Sequence, residues 1–282
     1  MYLLPSTLAE KRDRLLRKML NYGSCAVAFS GGVDSAVVAK AAQLALGDSA
    51  VVVTGDSDAL AEGELEEARE LARLIGVRHV IVNTDELSDP GYVANGPDRC
   101  YHCKSILYEK LRDVARQIGV TVLVNGANVD DLADYRPGLQ AAAENSVQSP
   151  LAECGFTKPE VRQLAAAWQL PVAEKPATPC LSSRIVFGQQ VTPQRLAMID
   201  QAERLLRSLG FRQLRVRYHG DDLARIEVPL AELHCVCERE ICDTIVTELK
   251  QLGFKFVTLD LAGIRSGSFN ELVPAAALKR FS

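Results

Sequence analysis

Three groups of residues in this chain have types and spacings that can do chemistry. The first is Ser30-Gly31-Gly32-Val33-Asp34-Ser35, which follows the apolar run 25–29 and opens a helical pattern over 34–46. A strand that turns through glycines into a helix start presents free backbone N–H groups and the positive end of the helix dipole, which together bind anions. Gly31 and Gly32 let the backbone approach phosphate oxygens, Ser30 and Ser35 add hydroxyls, and Asp34 suits a Mg²⁺ ion bridging phosphates. A plain reading of the same residues is a tight strand-to-helix turn with a cap. The loop lacks the Gly-Lys-Ser/Thr ending of a Walker A motif and the G-x-G-x-x-G spacing of a dinucleotide loop. The second group, Asn125-Gly126-Ala127-Asn128-Val129-Asp130-Asp131, follows the apolar run 120–124. Asp130 and Asp131 can hold Mg²⁺ or orient a substrate at the carboxyl end of a strand, or simply line a polar loop.

The third group is sulfur. Cys100-Tyr101-His102-Cys103 opens a helical pattern, where a helix start lowers a thiol pKa and favours thiolate. By itself a C-x-x-C pair is compatible with a metal site, a redox dithiol or packing. Zinc would want a fourth ligand, and no second C-x-x-C or H-x₃-H is present. Cys180 stands in a proline-punctuated loop. Three cysteines, Cys100, Cys103 and Cys180, would leave one iron of a [4Fe–4S] cluster open to an external sulfide. Cys25 and Cys154 read as structural, and Cys235, Cys237 and Cys242 as small buried hydrophobes in an apolar segment.

These groups need a scaffold. Short apolar runs at 25–29, 50–55, 79–82 and 120–126 alternate with helical patterns that close on Gly47, Gly76 and Gly119. The rhythm predicts an α/β fold, a doubly wound parallel sheet with helices on both faces. Thr157-Lys158-Pro159-Glu160 predicts a capped helix start, and Trp168 a core residue of that helix. Pro171, Pro176, Pro179 and Pro193 mark a linker. The expected division is a nucleotide domain over 1–175, a functional linker over 176–193, and a smaller α+β domain over 194–282. In the last, a helix at 194–209, a hairpin of 214–219 and 223–228, a helix at 230–251 and a strand at 254–260 are expected. That hairpin puts Arg215 and Arg217 on one face, fit for a phosphate monoester or for cross-strand ion pairs, and Arg225 with Glu227 on one face of its partner.

Composition sets the limits. The chain has 282 residues, 48% apolar and 24% charged, with 32 Lys+Arg against 36 Asp+Glu. It reads as an ordinary globular protein without an overall basic field for a long nucleic acid. No apolar run approaches a membrane span, and the N-terminus lacks the order of a secretory signal. The expected setting is the cytoplasm, where eight cysteines are not a disulfide framework.

The stretch SGGVDS after a first strand resembles the PP-loop of ATP pyrophosphatases, the adenine nucleotide alpha hydrolase-like fold, and the G-x-N-x-D-D stretch agrees. With GYVANGPDRCYHCK and PCLSSRI, the chain resembles the LarE family from about residue 8 to residue 275. That resemblance implies an ATP-dependent sulfur transferase. It would adenylate the carboxylates of pyridinium-3,5-biscarboxylic acid mononucleotide with Mg·ATP and convert them to thiocarboxylates for a nickel-pincer cofactor. It further implies catalytic roles for Cys180, Asp34 and Asp131. Ser183, Arg184, Arg215 and Arg217 would bind a nucleotide phosphate, and Glu203 and Glu227 a divalent metal, although a glutamate on an exposed helix needs no such role. Two sulfur routes exist in the family: a [4Fe–4S] cluster on three cysteines fed by a sulfide donor, or sacrifice of the loop cysteine. The presence of Cys100, Cys103 and Cys180 favours the cluster. A closed homo-oligomer, trimer or hexamer, is implied as well. The alternatives are a PP-loop tRNA thiolase and an amide-forming ligase such as NAD synthetase.

Overall fold

The structure is a computed structural model that describes residues 4–132, 137–176, 178–265 and 269. The chain runs α1 (Ser6–Tyr22), β1 (Cys25–Ala28), α2 (Val33–Leu46), β2 (Ala50–Asp56), α3 (Glu64–Ile75), β3 (Arg78–Asn83), α4 (Pro90–Val93), α5 (Arg99–Ile118) and β4 (Val122–Val124). Short helices α6 (Val129–Leu132), α7 (Pro137–Glu144) and α8 (Pro150–Glu153) lead to α9 (Lys158–Ala167). The four strands form a parallel sheet in the order β3-β2-β1-β4. Period-two alternation divides their side chains between two layers. Cys25, Val27, Ala50 and Val52 face α1, α2, α3 and α9. Ala26, Val51 and Val53 face α5 and α7. The expected doubly wound sheet is therefore present. The rhythm of runs and glycines does not announce α1, whose buried Leu8, Leu15 and Met19 form a stripe against the first layer.

The rest of the chain forms α10 (Pro193–Ser208), β5 (Arg215–His219), β6 (Leu223–Glu227), α11 (Leu233–Val236), α12 (Arg239–Gln251) and β7 (Phe256–Leu259). β5 and β6 pair antiparallel, and β7 joins β6 in parallel. Asp221 and Asp222 take positive φ in the hairpin turn, a conformation Asp tolerates better than most residues. The helix expected over 230–251 is broken: Glu238 is extended (φ −60°, ψ 133°) between α11 and α12. The break turns Cys237 outward. Cys237 is exposed and Cys235 and Cys242 half-buried, so these three are not the buried hydrophobes expected, whereas Cys25 and Cys154 are. Trp168 follows the end of α9 and only packs against the core margin.

Candidate functional site

The glycine turn sits where β1 delivers the chain to α2. Gly31 has φ 71°, the left-handed region that favours glycine, and a Cβ there would lie 3.4 Å from Ala68 of α3. At Gly32 a Cβ would meet only the Ser30 hydroxyl at 3.4 Å, so the conformational demand falls on Gly31. The Ser35 hydroxyl donates to the Gly32 carbonyl (3.0 Å), closing the turn from inside. Gly126 brings the second motif against the start of α2: a Cβ there would lie 2.8 Å from the Ser35 amide nitrogen. Glycine at this point keeps the helix-start amides open to a ligand.

The Asp34 carboxylate accepts from the Asn128 amide (3.1 Å) and pairs with the Lys158 ammonium. Asn128 belongs to the second motif, whereas Lys158 does not stand out in the sequence as a site residue. Lys158 is the first residue of α9, whose capping box of Thr157 and Glu160 is present as expected. Asp131 accepts from the Asn128 backbone N–H (3.0 Å), and Asp130 from that of Lys158 (2.7 Å). Both acids thus shape the loop and the helix start that aim Asn128 and Lys158 at Asp34. The Asp34 side chain is partly exposed and offers hard oxygen donors, which fit Mg²⁺.

Cys100 and Cys103 lie in the first turns of α5, and Cys180 lies in the loop before a 3₁₀ turn at Leu181–Arg184. The Leu181 N–H donates to the Ala59 carbonyl (2.8 Å) just beyond β2, so this loop crosses the carboxyl edge of the parallel sheet. The glycine turn occupies the same edge. Between them, the Glu64 carboxyl in the first turn of α3 is pushed up by burial and drawn back by Lys175 and Arg184. The Cys180 sulfur contacts the buried Ser182 hydroxyl (3.1 Å). Burial pushes the Cys103 thiol up to about 12; Lys104 opposes this, while Cys180, Glu86 and Cys100 add to it. This corrects the expectation of a thiolate at the helix start: the dipole does not outweigh desolvation at Cys103. Cys103 donates toward the buried Glu86 carboxylate (3.7 Å). The His102 ring turns away toward Asp89 and Asp98.

No set of three His, Cys, Asp or Glu side chains among the described residues has the arrangement of a metal site. In kind and number the three thiols fit a [4Fe–4S] cluster with one open iron. Glu203 and Glu227 do not fit a divalent cation as arranged. Both are 0% exposed. Glu203 accepts from Arg184 (2.9 Å), Arg207 (2.8 Å) and the Val216 N–H (3.1 Å), and Glu227 pairs with Arg217 (3.0 Å) and Arg225 (3.2 Å). The expected exposed helix face at Glu203 is in fact a buried ion pair. Arg217 also donates to the Ser183 carbonyl (3.0 Å), and Arg184 to the carbonyls of Pro179 and Cys180. Arg215 is half-buried, and its guanidinium donates to the Arg265 carbonyl (3.0 Å).

Residues 12–177 match the asparagine synthase family model. The chain is 38% identical over 278 residues to a pyridinium-3,5-bisthiocarboxylic acid mononucleotide synthase of Lactiplantibacillus plantarum, covering 98% of this chain and 100% of that protein.

The chain belongs to the LarE family.

It is an ATP-dependent PP-loop enzyme of that family. An uncharacterized Synechocystis protein is 44% identical over 247 residues, 88% of this chain and 92% of its own length. A tRNA-specific 2-thiouridylase of Rickettsia peacockii shares 28% identity over 200 residues, 56% of this chain and 54% of its own. Among the described residues of this LarE chain, no helix is long and apolar enough to cross a membrane.

Proposed function

We propose that the chain uses ATP to replace carboxylate oxygen by sulfur in pyridinium-3,5-biscarboxylic acid mononucleotide, toward a nickel-pincer cofactor; the bisthiocarboxylic product is the one that the name of its Lactiplantibacillus relative gives. The observation that carries this is the shared sheet edge: the glycine turn follows the end of β1, and the Cys180 loop crosses just beyond β2. A substrate carboxylate oxygen attacks the α-phosphorus of ATP, pyrophosphate leaves, and an acyl adenylate forms. A sulfur nucleophile then attacks the carbonyl carbon, the C–O bond to AMP breaks, and a thiocarboxylate remains.

The helix-start amides of α2 hold the triphosphate and Lys158 neutralises it, while Asp34 would hold Mg²⁺, which would supply screening of the phosphate charge. Asp131 fixes Asn128, which orients Asp34. Arg215 and the Ser183 hydroxyl take the mononucleotide phosphate, while Arg184 and Arg217 shape the loop they bond. Cys100, Cys103 and Cys180 would hold a [4Fe–4S] cluster, which supplies an open iron for sulfide.

The test is to incubate the protein with Mg·ATP and the biscarboxylic mononucleotide. AMP, pyrophosphate and a thiocarboxylate product are expected, and no AMP release overturns the reading. Iron and acid-labile sulfide per chain after anaerobic reconstitution decide the sulfur source. Their absence, with loss of H₂S mass at Cys180 after turnover, replaces the cluster by the sacrificial cysteine. The tRNA-thiolase alternative predicts salt-dependent tRNA binding. The balance of 32 Lys+Arg against 36 Asp+Glu does not favour it.

A further inference from the structure

Arg99 opens α5, immediately before the C-x-x-C pair, and is 5% exposed. Its Nη1 donates to the Asn95 side-chain oxygen (2.5 Å) and to the Ser182 carbonyl (2.8 Å). Both acceptors are neutral, and among the described residues no carboxylate pairs with it. The other buried guanidinium groups beside this loop are neutralised: Arg184 by Glu203 and Arg217 by Glu227. A buried charge without a counter-ion is costly and calls for a compensating group. Asn95 is fully buried at φ 54° and also donates to the carbonyls of Val186 and Gln189 (2.9 Å each), so Arg99 is locked onto the whole Cys180 loop.

Sulfur is what its charge faces. Arg99 immediately precedes Cys100, and Ser182, whose carbonyl it bonds, contacts the Cys180 sulfur through its hydroxyl (3.1 Å). Lys104 repeats the pattern. It is half-buried in the first turns of α5, next to Cys103, and has no carboxylate partner among the described residues. The carboxylate in this basin, Glu86, lies on the Cys103 side.

We infer that Arg99 is a positioning residue and the fixed counter-charge of the sulfur site: its guanidinium binds the Cys180 loop to the C-x-x-C helix and balances an anionic sulfur species held there. This rests on the proposed sulfur transfer, and the test separates the two. Iron-free full-length protein is alkylated with iodoacetate and with iodoacetamide, and modification at Cys180 is followed by mass spectrometry. The rate ratio of the anionic to the neutral reagent reads the local charge and cancels accessibility. In the native protein the ratio at Cys180 should exceed that of a free cysteine peptide severalfold. Arg99→Gln should bring it to the peptide value, and Arg99→Lys should keep most of it. A native ratio equal to the peptide's, measured without any variant, overturns the inference, as does a native-like ratio in Arg99→Gln. If the ratios behave as expected while the native protein forms no thiocarboxylate, the proposed function fails and the counter-charge stands.

Discussion

The Lys158 ammonium at the start of α9 pairs with the Asp34 carboxylate at the start of α2, so two helix N-termini and one ion pair converge on the phosphate turn. Lys158→Met should leave the fold intact and weaken ATP binding. A charge-assisted contact is worth about 1.5–3 kcal/mol, or about tenfold or more in the KM for ATP. Pyrophosphate release across ATP concentrations checks this; an unchanged KM removes Lys158 from the site.

Gly126→Ala puts a methyl group 2.8 Å from the Ser35 nitrogen and 3.0 Å from the Asp34 carbonyl carbon. Both are backbone atoms that cannot swing aside. Overpacking of this kind costs about 1–3 kcal/mol. The methyl also covers helix-start amides, so AMP formation should fall far more than stability. Calorimetric ATP titration beside urea unfolding separates the two effects.

Thr157→Ala removes one half of the capping box of α9, leaving Glu160 its bond from the residue 157 backbone N–H (2.9 Å) and its contact with Lys11 (2.7 Å). The expected cost is about 1 kcal/mol in unfolding free energy. Because the cap also sets the direction of Lys158, the KM for ATP should rise as well. A stability loss with unchanged KM shows that the helix start keeps its aim without the cap.

The His79 ring contacts the Thr54 hydroxyl (2.8 Å), and burial, followed by Arg69, lowers its pKa below the ordinary 6.5. The unfolded chain therefore takes up this proton more readily than the folded one. His79 contributes no penalty above about pH 6.5, and stability drains as pH falls from there through the lower folded value. Melting temperatures between pH 7.5 and 5 should fall less steeply in His79→Gln than in the native protein. Parallel slopes assign the loss to other groups.

Much of this was readable from the chain. Apolar runs mark all four parallel strands, most clearly β1 and β2, whose residues are buried on both faces of the sheet, and less fully the edge strand β3. The glycine turn and the C-x-x-C pair are legible because their chemistry is local. Lys158 and Arg99 are not. Each serves a site built by a distant segment, Asp34 lying 124 positions from Lys158 and Ser182 83 from Arg99, and no local pattern encodes that. The break at Glu238 escapes notice because neither glycine nor proline marks it. Glu203 is hidden for another reason: the helical pattern shows a face but not the arginines that come to meet it.

The Cys180 loop takes its bonds from Ala59 after β2, from Arg99 at the head of α5 and, through Arg184, from Glu203 of α10. Three stretches remote along the chain must therefore be in place before the thiol reaches its station. During synthesis the glycine turn, Ala59 and α5 emerge before this loop, and α10 after it. On the proposed cluster route, iron uptake in refolding experiments should therefore lag the recovery of helical circular dichroism.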